Sequence, residues 1–330
     1  MLMHLINREI IQHKLSGVKL ERTAPPISKL CYADDIILFC KATRAELSSL
    51  KGCLEKYCHW SGQKISVEKS GVFPSKGVSP HFLNQIRAHW GLSKLPTSAK
   101  YLGIPLFLTP HRKMDLNDIK ERVENKLSSW KSKNLSWAGR ATLIKSVAFA
   151  IPSYSMAVLQ FPKGLCNQLD AIVRRFWWNP KSDKGSFSSP IAWDSLCWPL
   201  KEGGLGFRKF WEFNQALLAK LAWWLLEGRD CLCINLLRAK YKVRNNWLNH
   251  KASGSISPVW KSLEGIKQLI AQGACMLIGS GESICIWEDP WIPNLPLFRP
   301  NFYGWSFGCF TAAGSQQDSV GFFQIEGFVR

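Results

Sequence analysis

Two short apolar runs, Ile27–Cys31 and Ile36–Cys40, stand on either side of Tyr32-Ala33-Asp34-Asp35, and this arrangement limits the local fold more than any other feature of the chain. Both runs are rich in residues that suit a pleated, half-buried surface. The four residues between them suffice for a tight reversal and little else. The spacing predicts a β-hairpin with Asp34 and Asp35 at or near its tip. Tight hairpins favour Asn-Gly or Asp-Gly, whose central residues tolerate positive φ; no glycine stands here. The second run, Ile36-Ile37-Leu38-Phe39, is apolar without alternation, the pattern of a strand covered on both faces. Adjacent carboxylates at the mouth of such a hairpin repel each other and lose hydration, and a divalent cation would offset both costs. Mg²⁺ suits the position, since it takes one or two carboxylates together with substrate phosphates and water. From the residues alone two readings stand: an ordinary Asp-bearing turn and a metal site.

The charge balance narrows the partner. Forty-three Lys and Arg against 24 Asp and Glu leave +19 at pH 7 over 330 residues, which points to a polyanion. Sixteen tryptophans favour nucleic acid over an acidic membrane face, because aromatic rings stack on bases while Lys and Arg follow phosphates. With 46% apolar and 20% charged residues the chain is not of disordered composition. No stretch offers the roughly 20 apolar residues of a membrane span; 146–161 is interrupted by Pro152 and 216–226 by Lys220. Arg8, Glu9 and Lys14 break the amino-terminal apolar pattern, unlike a signal peptide. Eleven cysteines, odd in number and without a CxxC pair, read mostly as buried reduced thiols. Cys53, Cys58 and His59 lack the second ligand pair of a zinc site. A reducing intracellular compartment with no membrane partner is expected, and the residues indicate no protein partner.

Helical spacing marks 2–15, 44–60 (Leu47, Leu50, Leu54, Tyr57) and 116–130 (Leu116, Ile119, Val123, Leu127, Trp130). Ser136 is a suitable cap for a helix carrying Leu143, Ile144, Val147 and Ala148, with Pro152 closing it. Further helices are expected over 165–177 and 213–224, the latter apolar nearly all round except for Lys220 and therefore buried. Ile65–Phe73 reads as a strand, and Tyr101–Leu106 as a short strand or turn. Between 112 and 145 nine Lys/Arg face four Asp/Glu, so two or three antiparallel helices with basic outer faces are expected. Gly203-Gly204-Leu205-Gly206 lacks a phosphate loop's GKS ending, and tight packing before a helix explains it better. Of the pairs Trp177/Trp178 and Trp223/Trp224, at least one member each is expected in the core. From 243 onward periodicity is weak, and 301–330 has no assignment.

The stretch from Ile27 to Phe39 resembles the active-site hairpin of reverse transcriptases, nearest to the LINE-type (non-LTR) retrotransposon class of plants. Other blocks follow in that family's order. Ser61-Gly62-Gln63-Lys64-Ile65-Ser66-Val67-Glu68-Lys69-Ser70 resembles the lysine-bearing block after the hairpin. Tyr101-Leu102-Gly103-Ile104-Pro105-Leu106 resembles the palm–thumb junction. Leu135-Ser136-Trp137-Ala138-Gly139-Arg140, with Leu143-Ile144-Lys145-Ser146 and Ile151-Pro152, resembles the thumb. Arg175-Phe176-Trp177-Trp178, Gly203–Arg208 and Phe213–Lys220 continue the likeness, which covers about residues 1–295.

The resemblance implies an α+β fold: a partial polymerase palm over 1–106, a helical thumb over 107–180, a helical or irregular region over 181–300 and an unassigned tail over 301–330. It implies RNA-directed DNA polymerase activity by two-metal nucleotidyl transfer, with Asp34 and Asp35 as catalytic metal ligands and Lys69 near the incoming triphosphate. Tyr101, Gly103, Lys131, Lys133, Arg140 and Lys145 would contact an RNA template and DNA primer; Mg²⁺ and dNTP would complete the enzyme. The family's further palm carboxylate lies well before the hairpin. Only Glu9 and Glu21 precede Asp34 here, and a fingers region and the family's carboxy-terminal Cys/His cluster are missing. The expectation is therefore a truncated polymerase, inactive alone, the alternative being a non-catalytic basic nucleic-acid-binding remnant.

Overall fold

A computed structural model describes residues 1–107, 112–130 (side chains from 116), 134–179, 187–243, 247–250, 252, 254–279, 284–286, 289–295 and 298–299. It is mixed α and β and mostly helical, with small sheets, an α+β fold. The chain divides into two compact units, Met1–Thr109 with Asn235–Lys240, and Pro110–Ile234 with Tyr241–Arg330.

The first unit is built on two helices. Helix α1 (Leu2–Ile11) and helix α2 (Arg44–Ser61) bury Leu2, Ile6, Leu15, Leu50 and Cys53 between them. Thr43 caps α2 through the Glu46 amide and Gly62 ends it in a left-handed conformation, the arrangement that satisfies both sets of orphan helix-end groups. Strands β1 (Lys29–Tyr32) and β2 (Asp35–Leu38) form an antiparallel hairpin whose base reaches this core through Leu38 and Cys40. Helix α3 (Pro80–Trp90) follows, capped by Ser79 with Pro80 in its first turn. Of the strand expected over Ile65–Phe73 only β3 (Gly71–Val72) forms, parallel to β4 (Ser93–Lys94). Residues 61–69 are all exposed; without a neighbouring strand to cover them, their apolar members have nothing to pack against. Strands β5 (Lys100–Tyr101) and β6 (Ile104–Pro105) make a second hairpin.

The second unit is a helical bundle around helix α9 (Phe210–Glu227). Helices α4 (Arg112–Ser128), α6 (Ala150–Met156), α7 (Lys163–Trp178) and α11 (Pro258–Gly273) pack around it or against one another. Helix α9 buries Phe210, Asn214, Leu218, Leu221, Ala222 and Leu225, in keeping with its apolar character. Short helix α8 (Trp193–Cys197) also belongs to this unit, whereas most of helix α10 (Leu232–Tyr241) is counted with the first. Helix α9 has no side-chain cap of its own; the Asp170 carboxylate of α7 accepts from the Phe210 amide instead, placing negative charge at the positive helix end.

Ser136 caps helix α5 (Trp137–Leu143) as expected, but Pro152 does not end the helix. A π-helical turn over Ile144–Ala148 intervenes, with the Phe149 amide donating to the Ile144 carbonyl at 3.1 Å. Because α6 begins anew at Ala150, Pro152 falls in its first turn, where a missing N–H costs least. Trp177 is buried and Trp178 half-buried, whereas Trp223 and Trp224 are both half-buried, so the expectation of one core member fails for the second pair. The Trp224 ring is covered instead by Lys220 and Arg229, at 5.4 and 4.3 Å from its centroid. Tight packing does explain the glycine segment: a Cβ on Gly204 would lie 2.0 Å from the Trp198 carbonyl oxygen. Helix α11 escaped the periodicity reading, although Ser257 caps it and Trp260, Leu263, Ile266 and Ile270 recur at helical spacing.

The ten described cysteines are all free. Only Cys53, Cys166 and Cys275 are buried, fewer than expected; Cys31 and Cys233 are exposed. Burial pushes Cys166 and Cys197 up to about 12 and Cys40 up to about 11, so these three remain protonated thiols at neutral pH.

Candidate functional site

The Asp pair lies at the far end of the first hairpin. Tyr32 pairs with Asp35, leaving Ala33 and Asp34 as a two-residue turn, and Asp35 as the first residue of β2. Ala33 takes φ +51°, the left-handed region that a Cβ disfavours. The turn therefore forms without glycine by straining Ala33. Residues 31–36 are exposed, and β2 is exposed at Asp35 and Ile36 before turning half-buried at Ile37 and Leu38. The absence of alternation thus does not reflect a strand covered on both faces; the hairpin is two-stranded, with only its base in the core. That base is pinned by Lys29, which donates to the Asn7 side chain and to the Met3 carbonyl. Burial lowers the Lys29 pKa. The result is a fixed stem presenting two carboxylates to solvent.

No group of three or more His, Cys, Asp or Glu side chains suited to a metal comes together among the described residues. Asp34 and Asp35 can supply the one or two carboxylates that a single Mg²⁺ takes beside phosphates and water. The ligand set for a second ion is not assembled by the described residues. Lys69 is exposed in the turn after α2 and forms no ion pair with either Asp. Tyr101 and Gly103 belong to the β5–β6 hairpin, where Leu102 and Gly103 at φ +51° and +80° form the turn. Both turn positions there have positive φ, which glycine accommodates at Gly103.

Arg140 and Lys145 are brought together by aromatic rings in the second unit. The Arg140 guanidinium lies 4.6 Å from the centroid of the Trp137 ring and donates to the Trp177 carbonyl at 2.9 Å. Trp177 meets Phe207 at 5.2 Å, and the Lys145 ammonium stands 6.0 Å above the same Phe207 ring. Phe207 is held there because the amides of Leu205 and Phe207 donate to the Leu196 carbonyl, and that of Gly206 to the Trp198 carbonyl. Two cations of one helical stretch thus sit on a single aromatic floor assembled from α5, α7 and the glycine segment. Neither is in an ion pair among the described residues. Lys131 and Lys133 lie outside the described residues. Trp137 and Phe207 were absent from the expected site residues; the available signal was Trp137 three positions before Arg140 on a capped helix, where side chains meet.

No protein-family model matches the chain. A protein of Arabidopsis thaliana provisionally named as a ribonuclease H is 35% identical over 201 residues, covering 59% of this chain and 32% of that relative; the chain thus spans about a third of that protein's length. An uncharacterized mitochondrial protein of the same plant is 33% identical over 144 residues, covering 43% of this chain and 93% of its own length. The chain belongs to the family of this mitochondrial protein. No described helix is long and apolar enough to cross a membrane.

Proposed function

We propose that the chain is a plant retroelement protein and, more narrowly, the palm–thumb part of a non-LTR reverse transcriptase. In this reading the hairpin presents Asp34 and Asp35 to Mg²⁺, and the helical unit binds the RNA template and DNA primer. One observation carries it: a strained two-residue turn displays both carboxylates on a stem anchored in the α1–α2 core, and strain of this kind gathers at functional sites. The two carboxylates fit one Mg²⁺ shared with substrate phosphates. When bound, such an ion would favour ionisation of a primer hydroxyl and neutralise charge on the triphosphate. Asp34, in the turn, and Asp35, opening β2, would hold it; Lys69 would meet the triphosphate, and Tyr101 and Gly103 the primer end. Arg140 and Lys145, with Lys131 and Lys133, would bind phosphates.

Because the described residues bring only two carboxylates together at the tip, the chain is expected to bind primer–template without extending it. Primer extension on an RNA template, with Asp34→Ala as control, tests this: incorporation that depends on Asp34 would show that the chain completes the site by itself. A non-catalytic nucleic-acid-binding role is favoured by the aromatic floor under Arg140 and Lys145, which uses neither Asp. It requires binding that Asp34→Ala leaves unchanged. The name of the ribonuclease H relative suggests RNA hydrolysis, but the described residues bring no group of three or more metal-suited side chains together for it.

A further inference from the structure

The one aromatic ring of the floor that remains open to solvent is Trp137. It is the first residue of α5, and Ser136 fixes that helix start by accepting from the Gly139 amide at 3.2 Å. Trp177 and Trp178 brace the ring at centroid distances of 4.9 and 5.8 Å, tilted by 56° and 72°. Arg140 lies over it, itself tethered to the Trp177 carbonyl. After all these contacts 52% of the Trp137 surface still meets water. An indole held by neighbours on a buried Trp177 loses little side-chain freedom when it acquires a ligand. A large apolar ring left open beside Arg140, on a floor that also carries Lys145, with neither cation in an ion pair among the described residues, suits a ligand that is flat, aromatic and anionic nearby.

We propose that Trp137, backed by Arg140, is a stacking platform for an unpaired nucleobase, with Lys145 meeting the phosphate of the same strand. The inference rests on the nucleic-acid reading above and specifies which strand state the helical unit selects. An indole gains by stacking on a base face. In a duplex interior both faces of every base are already stacked, whereas an unpaired base offers one. Trp137 therefore confers preference for single-stranded over fully paired nucleic acid. Stacking is shared by RNA and DNA, so the chemistry is the same for either strand.

Fluorescence anisotropy of the full chain with labelled oligo(dT), labelled oligo(rU) and a blunt, fully paired duplex tests the proposal. Trp137→Ala is expected to weaken binding of one or both single strands about tenfold and to leave the duplex affinity unchanged, which also shows that the variant is folded. Trp137→Phe is expected to retain most of the affinity, because a ring is restored. Equal loss on single strand and duplex, or no loss on either strand, would overturn the platform while leaving nucleic-acid binding intact. No binding of any of the three by the unaltered chain at low salt would remove the nucleic-acid reading as well.

Discussion

At Asn214 a single buried side chain satisfies three backbone groups. Its amide donates to the carbonyls of Met156 and Leu159 at 2.8 and 2.9 Å, and its oxygen accepts from the Phe161 amide at 2.8 Å. This ties the turn after α6 to the second turn of α9. Asn214→Ala strands these groups in the core, and urea unfolding is expected to show a loss of about 3 kcal/mol. Asp170 carries a pH signature. Burial pushes its carboxyl up to about 6 from the usual 3.8, against the Phe210 amide and the nearby Lys209 charge, both of which favour the ionised form. The folded state therefore binds the proton more tightly than the unfolded chain. The stability this contributes is fully present below about pH 4 and is lost as pH rises towards 6. Asp170→Asn is expected to flatten the unfolding free energy across that window, which denaturation at stepped pH would register.

The hairpin and the glycine segment show how an element sets a site. The first hairpin turns on Ala33 at φ +51°, so Ala33→Gly removes a Cβ penalty of about 1 kcal/mol while adding unfolded-state freedom. The net change in thermal stability is expected to be small and, if anything, favourable, with the Asp pair kept in place. Gly204 is the opposite case. Its neighbour is the Trp198 carbonyl, 2.0 Å from where a Cβ would stand, and backbone cannot rotate away as a side chain can. Gly204→Ala is expected to cost about 2–3 kcal/mol, displacing Phe207 from beneath Lys145 and weakening nucleic-acid binding in the same preparation. The π-turn at Ile144–Ala148 belongs to this scale too. It lets a helix bearing Arg140 and Lys145 continue into α6 despite Pro152, and such turns recur at functional sites.

For the molecule as a whole, the +19 charge governs the response to salt. If the helical unit binds nucleic acid through phosphates, log affinity falls linearly with log salt, with a slope of roughly −0.9 for each phosphate neutralised. A titration between low and physiological salt is expected to show a steep slope that Asp34→Ala leaves unchanged and that Lys145→Ala reduces by about one phosphate's worth. Salt-insensitive binding would mean that the charge acts elsewhere.

Local pattern carried far in this chain. The hairpin around Asp34 and Asp35, the cap at Ser136 and the apolar α9 could each be read from residues within one or two turns of each other, because capping and periodicity are local. Readings that depended on distant cover failed. The unbroken apolar run Ile36–Phe39 predicts burial on both faces, yet burial requires a neighbour that sequence alone does not reveal. Pro152 by itself predicts a helix end, and only a shift of hydrogen-bonding register upstream makes it a beginning. Residue order alone puts the Asp pair at a chain reversal and marks 112–145 as a basic helical stretch. Tertiary structure decided that Arg140 and Lys145 share one floor, since Trp177 and Phe207 come from segments far apart in the chain and meet only through packing.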